Sequence, residues 1–341
     1  MGRCMGRCMG RNAVTSGDVA RQANVSQSAV SRAFTAGASV APATRARIMQ
    51  AANDLGYRPN ALARAMISGR SRLVALVTPH VDNFFYAPAI QKLSREIQDR
   101  GYTTLLFMSD NNDTDDIVQR ILQYQVDGII ISGASLSSGQ ADLCAKTGIP
   151  VVLFNRYGSS LPASCVVSDN RNGGKLVAEY LVESGHERIA YIAGDENSST
   201  NRDRESGFTE ELKKQHVTLA GREVGDFTHD GAVEAARKLF SGNSIPDAVF
   251  VASDQMAFAV MDVLRCELDL SIPDQVSVVG FDDTAPAVWG AYDLTTVTQS
   301  LDIMMELTID TILQQMESEC LQPQSIVVPV QLSVRGSTRK T

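Results

Sequence analysis

The sequence predicts a small all-α N-terminal domain followed by an α/β domain of two lobes, each built on parallel sheets flanked by helices. Three observations predict this architecture: a sharp division of charge near residue 72, three short helical patterns with capping signals before it, and alternating strand and helix patterns after it. With 341 residues, 44% of them apolar, the chain is long enough for two or three packed domains. The predicted parts are a disordered tail at 1–11, a helical domain at 12–58, a linker at 59–71 and a two-lobed domain at 72–341.

The two parts of the chain carry opposite charge. From Met1 to Arg72 there are eleven arginines and two acidic residues, a net charge of +9, whereas the 20 basic and 37 acidic residues that follow give −17. A basic head on an acidic body is typical of nucleic-acid binding, because the body itself would repel phosphate. A solvated basic arm without any target would give the same counts.

The composition argues against several classes of protein. No run approaches about 18 consecutive apolar residues, and the N-terminus lacks the apolar core of a signal peptide, so we expect a cytoplasmic protein without a membrane span. The six cysteines form no Cys-x-x-Cys pair, and the four histidines form no spaced ligand pair. We therefore predict no disulfide framework, metal site or cofactor, and we interpret the histidines as surface or turn residues.

Capping signals predict two short helices in the N-terminal domain. Thr15 and Asp18 fit a capping box that begins the first helix, and this helix ends at Asn24. Ser26 can cap a second helix, in which apolar residues recur at three- and four-residue spacing between residues 29 and 34. The turn between the two helices is about three residues long.

A third helix is predicted to begin at Pro42 and to end at Gly56. Its expected buried stripe is Ile48, Ala51, Ala52 and Leu55. Two short helices joined by a tight turn, with a third packed behind them, form a helix-turn-helix, whose second helix lies in the DNA major groove. There Gln27 can pair with adenine, Arg32 with guanine, and Ser28 with a base or a phosphate. A plain three-helix bundle with a polar outer face is the alternative.

From residue 72 onward, short apolar runs rich in β-branched residues alternate with helical patterns. Seven runs are interpreted as buried strands: 73–77, 104–107, 128–131, 151–154, 189–192, 248–251 and 276–279. Helices such as 88–100 and 174–184 lie between them. This alternation is typical of doubly wound parallel sheets, and about 270 residues is more than one such sheet uses, so two lobes are predicted.

Polar and aromatic side chains follow these strands at the ends where such sheets bind ligands. The residues concerned are Asn83 to Tyr86, Asn155, Arg156, Ser253, Asp254, Asp282 and Asp283. Carboxylates, arginine and stackable rings together can hold a polyhydroxylated ring, so a sugar-like ligand is predicted. Taken alone, each residue fits a helix cap or an exposed loop better. Their shared position at the strand ends favours the binding site instead.

Signatures of enzymes are missing from the sequence. There is no Gly-x-Gly fingerprint and no Gly-x-Ser-x-Gly elbow, and Gly174-Lys175 lacks the preceding glycine of a phosphate-binding loop. Asp282 and Asp283 are adjacent, so their side chains should diverge, unlike the paired carboxylates of a glycosidase. We therefore predict no catalytic residues.

The segments Val14–Phe34 and Leu55–Arg64 closely resemble the head and hinge of the lactose-repressor (LacI/GalR) family of bacterial transcription regulators, and the resemblance continues to the C-terminus. It implies a hinge helix after Pro59, with Met66 as the apolar wedge in the minor groove; a simple linker is the alternative. The predicted DNA-contact residues are Thr15, Ser26, Gln27, Ser28, Ser31, Arg32, Asn60, Ala63 and Met66.

Several positions depart from the family's pattern. Asn24 replaces the usual turn glycine, and asparagine tolerates the left-handed conformation. Ala41 and Ala43 stand where members usually have Ser and Glu, which removes a helix cap and its partner at a cost of about 1 kcal/mol. Asn155 stands where many sugar-binding members have Asp, and Ser253 where many have Asn, so the ligand remains open.

For the α/β domain the resemblance implies a type I periplasmic-binding-protein fold. The chain of that fold crosses between the lobes three times, here near Ser168, Thr298 and Gln324. The implied effector-binding residues are Phe85, Tyr86, Asn155, Arg204, Phe227, Ser253, Asp254, Asp282 and Gln299.

The function implied by the resemblance is sequence-specific transcription regulation, most often repression. A homodimer is expected to bind double-stranded operator DNA with matching two-fold symmetry. A small sugar, sugar acid or polyol is expected to control the DNA affinity. The alternative is a sugar-binding or sugar-modifying protein with a vestigial DNA-binding head.

Overall fold

The computed structural model describes residues 14–35, 37–58, 70–79, 81, 83–109, 114–158, 162–242, 244–318 and 320–339. The chain divides after Ser71 into two compact units, an N-terminal head and an α/β unit. The tail expected at residues 1–11 lies outside the described residues, and so does most of the hinge expected at residues 59–71.

The head contains three helices: α1 (Ser16–Ala23), α2 (Gln27–Ala33) and α3 (Pro42–Leu55). The capping box of α1 forms as predicted, since the Asp18 carboxylate accepts from the Thr15 backbone N–H at 2.8 Å and the Thr15 hydroxyl accepts from the backbone of Asp18. Asn24 ends α1 in the left-handed conformation, with φ of 50°. The N-cap of α3 is Ala41, which provides no side-chain hydrogen bond, again as predicted.

Small apolar residues allow these three helices to pack closely. The buried core consists of Val19, Ala20, Ala23, Val30, Ala33, Ile48, Ala51 and Ala52. Leu55, expected in the core, is only half-buried at its edge, and Phe34 meets Tyr57 edge to face at 5.8 Å between ring centroids. The apolar stripes therefore face inward, and the polar side of α2 faces solvent.

The α/β unit contains two lobes, each with a six-stranded sheet. The first lobe has strands β1 (Leu73–Thr78), β2 (Thr103–Met108), β3 (Gly128–Ser132), β4 (Val151–Phe154), β5 (Ser164–Ser168) and β11 (Ser325–Val328). The second has β6 (Ile189–Ala193), β7 (Gly221–Val224), β8 (Ala248–Val251), β9 (Ser277–Asp282), β10 (Thr295–Gln299) and β12 (Val330–Ser333). The strand orders are β11-β5-β4-β3-β1-β2 and β12-β10-β9-β8-β6-β7.

Helices cover the sheets. Those of the first lobe are α4 (Tyr86–Asp99), α5 (Thr114–Leu122), α6 (Ser138–Thr147) and α11 (Leu301–Glu317). Those of the second are α7 (Asn170–Glu183), α8 (Ser199–Lys214), α9 (His229–Phe240) and α10 (Asp254–Cys266), with a 3-10 turn at Ala285–Val288. Two separate apolar clusters, one including α4 and α11 and the other α5 and α6, lie against the first sheet. Helices cover most strands on both faces of the sheets. Side chains on both faces of such a strand are therefore apolar, and its sequence is a continuous apolar run.

All seven predicted strands are present, but the structure adds five and corrects two details. Strands β5, β7, β10, β11 and β12 were not predicted, and β10 pairs with β12 in antiparallel orientation whereas the other pairs are parallel. Strand β2, predicted to be buried, is the edge strand, so Leu106 and Met108 are 49% and 55% exposed. The third crossing between lobes occurs at Pro329, between β11 and β12, and not near Gln324.

His186 corrects the interpretation of the histidines as surface or turn residues. Its side chain is buried, and its Nδ1 atom lies 3.3 Å from the Asp247 carboxylate. Asp247 also accepts from the backbone N–H groups of Glu187 and Arg188. Burial lowers the pKa of the His186 imidazole below its usual value, despite the neighbouring carboxylate.

Candidate functional site

The polar face of α2 is the surface that the sequence assigned to DNA reading. Ser26, Gln27, Ser28, Ser31 and Arg32 are all exposed. They stand opposite the buried residues of the same helix, so they project together from one rigid element. This arrangement matches the requirement for a helix whose outer face enters a groove.

Local hydrogen bonds orient part of this face. The Gln27 Nε2 atom donates to the Ser16 hydroxyl at 2.7 Å, which ties the first residue of α2 to α1. The Ser26 and Ser28 hydroxyls lie 2.9 Å apart. The Thr15 hydroxyl donates to the Asp18 carboxylate at 2.7 Å. The remaining DNA-contact candidates, Asn60, Ala63 and Met66, lie outside the described residues.

The second candidate site is a cavity of about 370 Å³, including space open to solvent, at the carboxyl ends of the strands. Ten residues line it: Asn83, Phe85, Tyr86, Asn155, Arg156, Thr200, Arg204, Phe227, Ser253 and Asp282. They come from the segments that follow strands of both lobes, which is where open α/β sheets bind ligands.

Seven of the nine predicted effector residues line this cavity, and Asp254 and Gln299 do not. The Asp254 carboxylate accepts from the Thr284 backbone N–H at 2.7 Å and from the Thr296 hydroxyl at 2.5 Å, so it joins two segments of the second lobe. Gln299 donates to Asp282 at 2.6 Å and therefore positions a residue that does line the cavity. Asp254 and Gln299 therefore hold neighbouring segments and side chains in place and do not themselves line the cavity.

Close helix packing brings Arg204 to the cavity. A Cβ atom on Gly174 of α7 would lie 2.0 Å from the Arg204 carbonyl oxygen, and one on Gly207 of α8 would lie 1.9 Å from the Arg171 carbonyl oxygen. Only glycine allows two backbones to approach this closely. The two glycines therefore fix α8, and with it Arg204, against α7.

All three nitrogen atoms of the Arg204 guanidinium contact other groups of the protein. Its Nε atom donates to Asn170 at 2.8 Å, its Nη1 atom donates to the Ala252 carbonyl at 2.5 Å, and its Nη2 atom lies 3.5 Å from Asp282. The guanidinium also stacks over the Phe281 ring at 3.6 Å from the centroid. Burial raises the pKa of Asp282, an effect that the positive charge of Arg204 opposes. Arg204 and Asp282 thus form a buried ion pair at the wall of the cavity.

Arg156 is held differently. Its Nη1 atom donates to the Asn155 carbonyl at 2.8 Å, to the Thr200 hydroxyl at 2.9 Å and to the Tyr86 hydroxyl at 3.3 Å. The guanidinium carbon lies 5.9 Å from the centroid of the Phe227 ring. Among the residues that the structure describes, no carboxylate lies within ion-pair distance of Arg156, although this side chain is only 6% exposed.

Three residues that line this cavity have backbone conformations with positive φ. Asn155, Phe227 and Asp282 have φ values of 58°, 57° and 133°, a region that favours glycine. Positive φ is uncommon in residues other than glycine, and asparagine and aspartate adopt it more readily than most. The Asn155 side chain donates to the Tyr86 hydroxyl at 3.0 Å, but its buried Oδ1 atom has no hydrogen-bond partner in the described part of the chain.

The cavity also joins the two lobes. Besides the Arg156–Thr200 contact, the Tyr157 hydroxyl donates to Asp203 of α8 at 3.0 Å, and the Tyr157 backbone N–H donates to Ser199 at 3.2 Å. The segment after β4 in the first lobe is therefore bound to the start of α8 in the second. A molecule in the cavity would contact both lobes at once.

The sequence placed Asn83 and Arg156 among the polar residues that follow strands, but neither they nor Thr200 were among the predicted site residues. Asn83 has a capping pattern, since its side chain accepts from the backbone N–H of Phe85 at 2.8 Å. Thr200 lies within the first turn of a helix, where hydroxyl residues are common. Arg156 had a usable signal, because it directly follows Asn155 at the end of a strand.

Within the described residues, no helix is both long and apolar enough to cross a membrane. The same part of the chain contains no group of three or more His, Cys, Asp or Glu side chains arranged to hold a metal ion.

Comparisons with known proteins identify the family. Residues 16–60 match the model of bacterial regulatory proteins, lacI family, and residues 178–338 match that of the periplasmic binding protein-like domain. The HTH-type transcriptional regulator DegA of Bacillus subtilis (strain 168) is 30% identical over 328 residues, which are 94% of this chain and 97% of DegA. The chain belongs to the lacI family of bacterial regulatory proteins.

Two further similarities agree with this assignment to the lacI family. Catabolite control protein A of Priestia megaterium is 29% identical over 335 residues, 96% of this chain and 99% of that relative. The crystal structure of the lac repressor dimer bound to operator and the anti-inducer ONPF superposes with a TM-score of 0.86 at 26% identity, covering 96% of this chain and 99% of the repressor. These matches confirm the predictions of the fold and of a DNA-binding transcription regulator.

Proposed function

We propose that this lacI-family regulator is a repressor whose α2 reads operator DNA and whose cavity binds a small polyhydroxylated effector that controls the operator affinity. The observation that carries the proposal is the coexistence, in one chain of this family, of an exposed polar face on α2 and a buried polar cavity at the strand ends. The lac repressor structure, which holds operator and a small molecule together, supports the same pairing of activities.

The proposed DNA-reading role follows from the chemistry of the α2 face. Arg32 can form two parallel hydrogen bonds with guanine, and Gln27 can do so with adenine, each worth about 1–3 kcal/mol of discrimination. Ser28, Ser31 and Ser26 are short enough to reach phosphate or base edges. The net charge of +9 up to Arg72 adds the phosphate attraction that non-specific affinity needs.

The proposed assembly is a homodimer on a pseudopalindromic operator. Two copies related by a two-fold axis present two α2 helices to two half-sites. We propose, from the resemblance alone, that Asn60, Ala63 and Met66 contact the minor groove between the half-sites. We expect the regulator to act in the cytoplasm, associated with the nucleoid while it holds its operator.

The proposed effector acts by changing how the two lobes are held together. Its contacts with residues of both lobes stabilise one relative placement of the lobes, and DNA binding favours one placement over the other. Coupling of this kind is typically about 1–3 kcal/mol and reciprocal, so the effector changes operator affinity by the same factor as the operator changes effector affinity.

The experiment starts from a random-sequence duplex library, from which the purified full-length protein selects its operator. Fluorescence anisotropy then measures affinity for the selected duplex and a scrambled duplex at two salt concentrations. We expect at least about 1,000-fold preference for the selected duplex and a steep loss of affinity with salt.

Two variants make this test specific to α2. Arg32→Ala should weaken selected-duplex binding about 10-fold or more and relax the sequence preference at one base pair in each half-site. Lys238→Ala, which removes an exposed charge from α9 in the α/β unit, should leave both affinities unchanged. A wild-type protein that binds scrambled and selected duplexes equally would refute the proposed function.

A further inference from the structure

We infer that the effector carries a single carboxylate, bound by Arg156, so that it is a small polyhydroxy acid of the sugar-acid class and not a neutral sugar or polyol. The inference rests on the proposed function and narrows the class of ligand that the cavity takes. Four features of the cavity support it: the free edge of one guanidinium, the balance of charge, the helix termini around it, and an amide oxygen without a partner.

The free edge is the side of the Arg156 guanidinium formed by Nε and Nη2. All the protein acceptors of Arg156 contact Nη1, and neither of the other two nitrogens has an acceptor among the described residues. The same edge of two other arginines binds a carboxylate in this protein. Nε and Nη2 of Arg222 donate to Glu205 at 2.6 and 3.0 Å. Nε and Nη2 of Arg237 donate to Glu267 at 2.7 and 2.8 Å. This bidentate geometry is the preferred one for arginine and carboxylate.

The charges of the side chains around the cavity favour a ligand with one negative charge. Arg204 has the Asp282 carboxylate within ion-pair distance, whereas Arg156 is buried without a carboxylate in the described part of the chain. An unpaired buried charge is costly, and a ligand that neutralises it gains correspondingly. A carboxylate supplies one negative charge. A phosphate monoester carries about 1.5 to 2 negative charges at neutral pH and would leave an excess.

Three helices begin at the cavity and add favourable potential for an anion. Phe85 precedes α4, Thr200 lies in the first turn of α8, and Ser253 caps α10, and all three residues line the cavity. The N-terminus of a helix carries a partial positive charge. Together with Arg156, these termini make the cavity more favourable for an acid than for a neutral molecule of the same shape.

The hydroxyl part of the inference rests on Asn155 and Phe227. The buried Asn155 Oδ1 atom has no donor in the described part of the chain, so a ligand hydroxyl that donates to it would satisfy an otherwise unmet acceptor. The Phe227 ring covers the wall beside Arg156 and suits the apolar face of a sugar carbon chain. A carboxylate near Arg156 and hydroxyls along the rest of the molecule fit this set of partners.

The test is calorimetric titration of the full-length protein with matched sets of ligands that differ only at one end. Each set contains an aldonate, the aldose and the alditol of one configuration, in the gluco, galacto and xylo series, with glucuronate and glucose 6-phosphate as further probes. We expect at least one sugar acid to bind about 30-fold or more tightly than its aldose and alditol. Equal or tighter binding of a neutral member, tighter binding of the phosphate, or no binding of any acid would overturn the inference.

Variants of Arg156 test whether this residue binds the carboxylate of the ligand. Arg156→Gln should reduce the preference for the acid over its alditol by about 30-fold, Arg156→Lys should retain part of the preference, and Lys238→Gln should retain all of it. If Arg156→Gln folds poorly, the wild-type comparison of acid with alditol still decides the matter.

Operator binding is measured separately, so that failure of this inference and failure of the proposed function can be told apart. Control of operator affinity by a neutral sugar would overturn only this inference. A protein without sequence preference for DNA would overturn only the proposed function.

Discussion

The head and the cavity hold their functional side chains by opposite means. On α2 the polar residues stand exposed on one short helix, and the apolar core of the head lies on the opposite, buried face. In the cavity the functional residues are buried and bonded to one another, as Arg204 is to Asn170 and Asp282. Function and stability are therefore separable in the head and coupled in the cavity.

Replacing the two arginines that represent these regions tests this contrast. Arg204→Ala should lower the free energy of unfolding of the α/β unit by about 3–5 kcal/mol, because it leaves Asp282 buried and unpaired. Arg32→Ala should change stability by less than about 0.5 kcal/mol. Urea unfolding followed by fluorescence of the single tryptophan, Trp289, reports on the α/β unit, and circular dichroism reports on the whole chain.

An exposed arginine within the α/β unit is the matched control for this pair. Arg237 also pairs with a carboxylate, since it binds Glu267 in bidentate geometry, but its side chain is 54% exposed. Arg237→Ala should therefore cost no more than about 1 kcal/mol. A loss as large as that of Arg204→Ala would show that burial is not what distinguishes the cavity.

Gly194→Ala tests whether cavity shape and stability are coupled without any change of charge. A Cβ atom at this position would lie 2.2 Å from the Phe227 ring, so the ring must move. We expect a loss of about 1–3 kcal/mol in stability, together with weaker effector binding in calorimetry. Gly290→Ala is the control, since nothing lies within 4 Å of its Cβ position; an effect as large there would contradict the packing argument.

The dependence of stability on pH should also belong to the α/β unit, because all four histidines lie in that part of the sequence. Burial holds the pKa of folded His186 below 6.5, with Arg339 adding to the effect and Asp247 opposing it. The unfolded chain therefore binds more protons below pH 6.5, and stability falls as pH falls from 6.5. In urea unfolding between pH 7 and 5, His186→Gln should show a shallower decline than wild type; parallel curves would contradict this origin.

The smallest effect is expected at the start of α3, where Ala41 provides no side-chain cap. Ala41→Ser should stabilise the head by about 0.5–1 kcal/mol and slow hydrogen exchange in the first turn of α3. Ala46→Ser, at an exposed position inside the same helix, should give no such gain. Equal protection in the two variants would mean that the cap is not the weak point.

The sequence predicted features that depend on neighbours along the chain. The capping box of α1 involves residues three apart, and the left-handed Asn24 follows from its own side chain, so both were predictable. Strand β10 was missed because its threonine-rich sequence lacks the apolar signal, and pairing with β9 and β12 makes it a strand.

The cavity residues depend on partners far away in the chain. Ser253 lines the cavity while its neighbour Asp254 turns towards Thr284 and Thr296, about 30 and 42 residues away. Adjacent residues at a strand end diverge, and only the folded lobe decides which of them meets the ligand. The sequence could therefore name the segments that form the site but could not separate the ligand-facing residues from those that support them.

Anisotropy of the selected operator duplex, measured with and without the preferred sugar acid, tests the link between head and cavity most directly. We expect the acid to change the operator dissociation constant of wild type by about 10-fold, and to change that of Arg156→Gln far less at the same concentration. An operator affinity that stays constant while calorimetry shows the cavity to be saturated would contradict control of the head by the cavity.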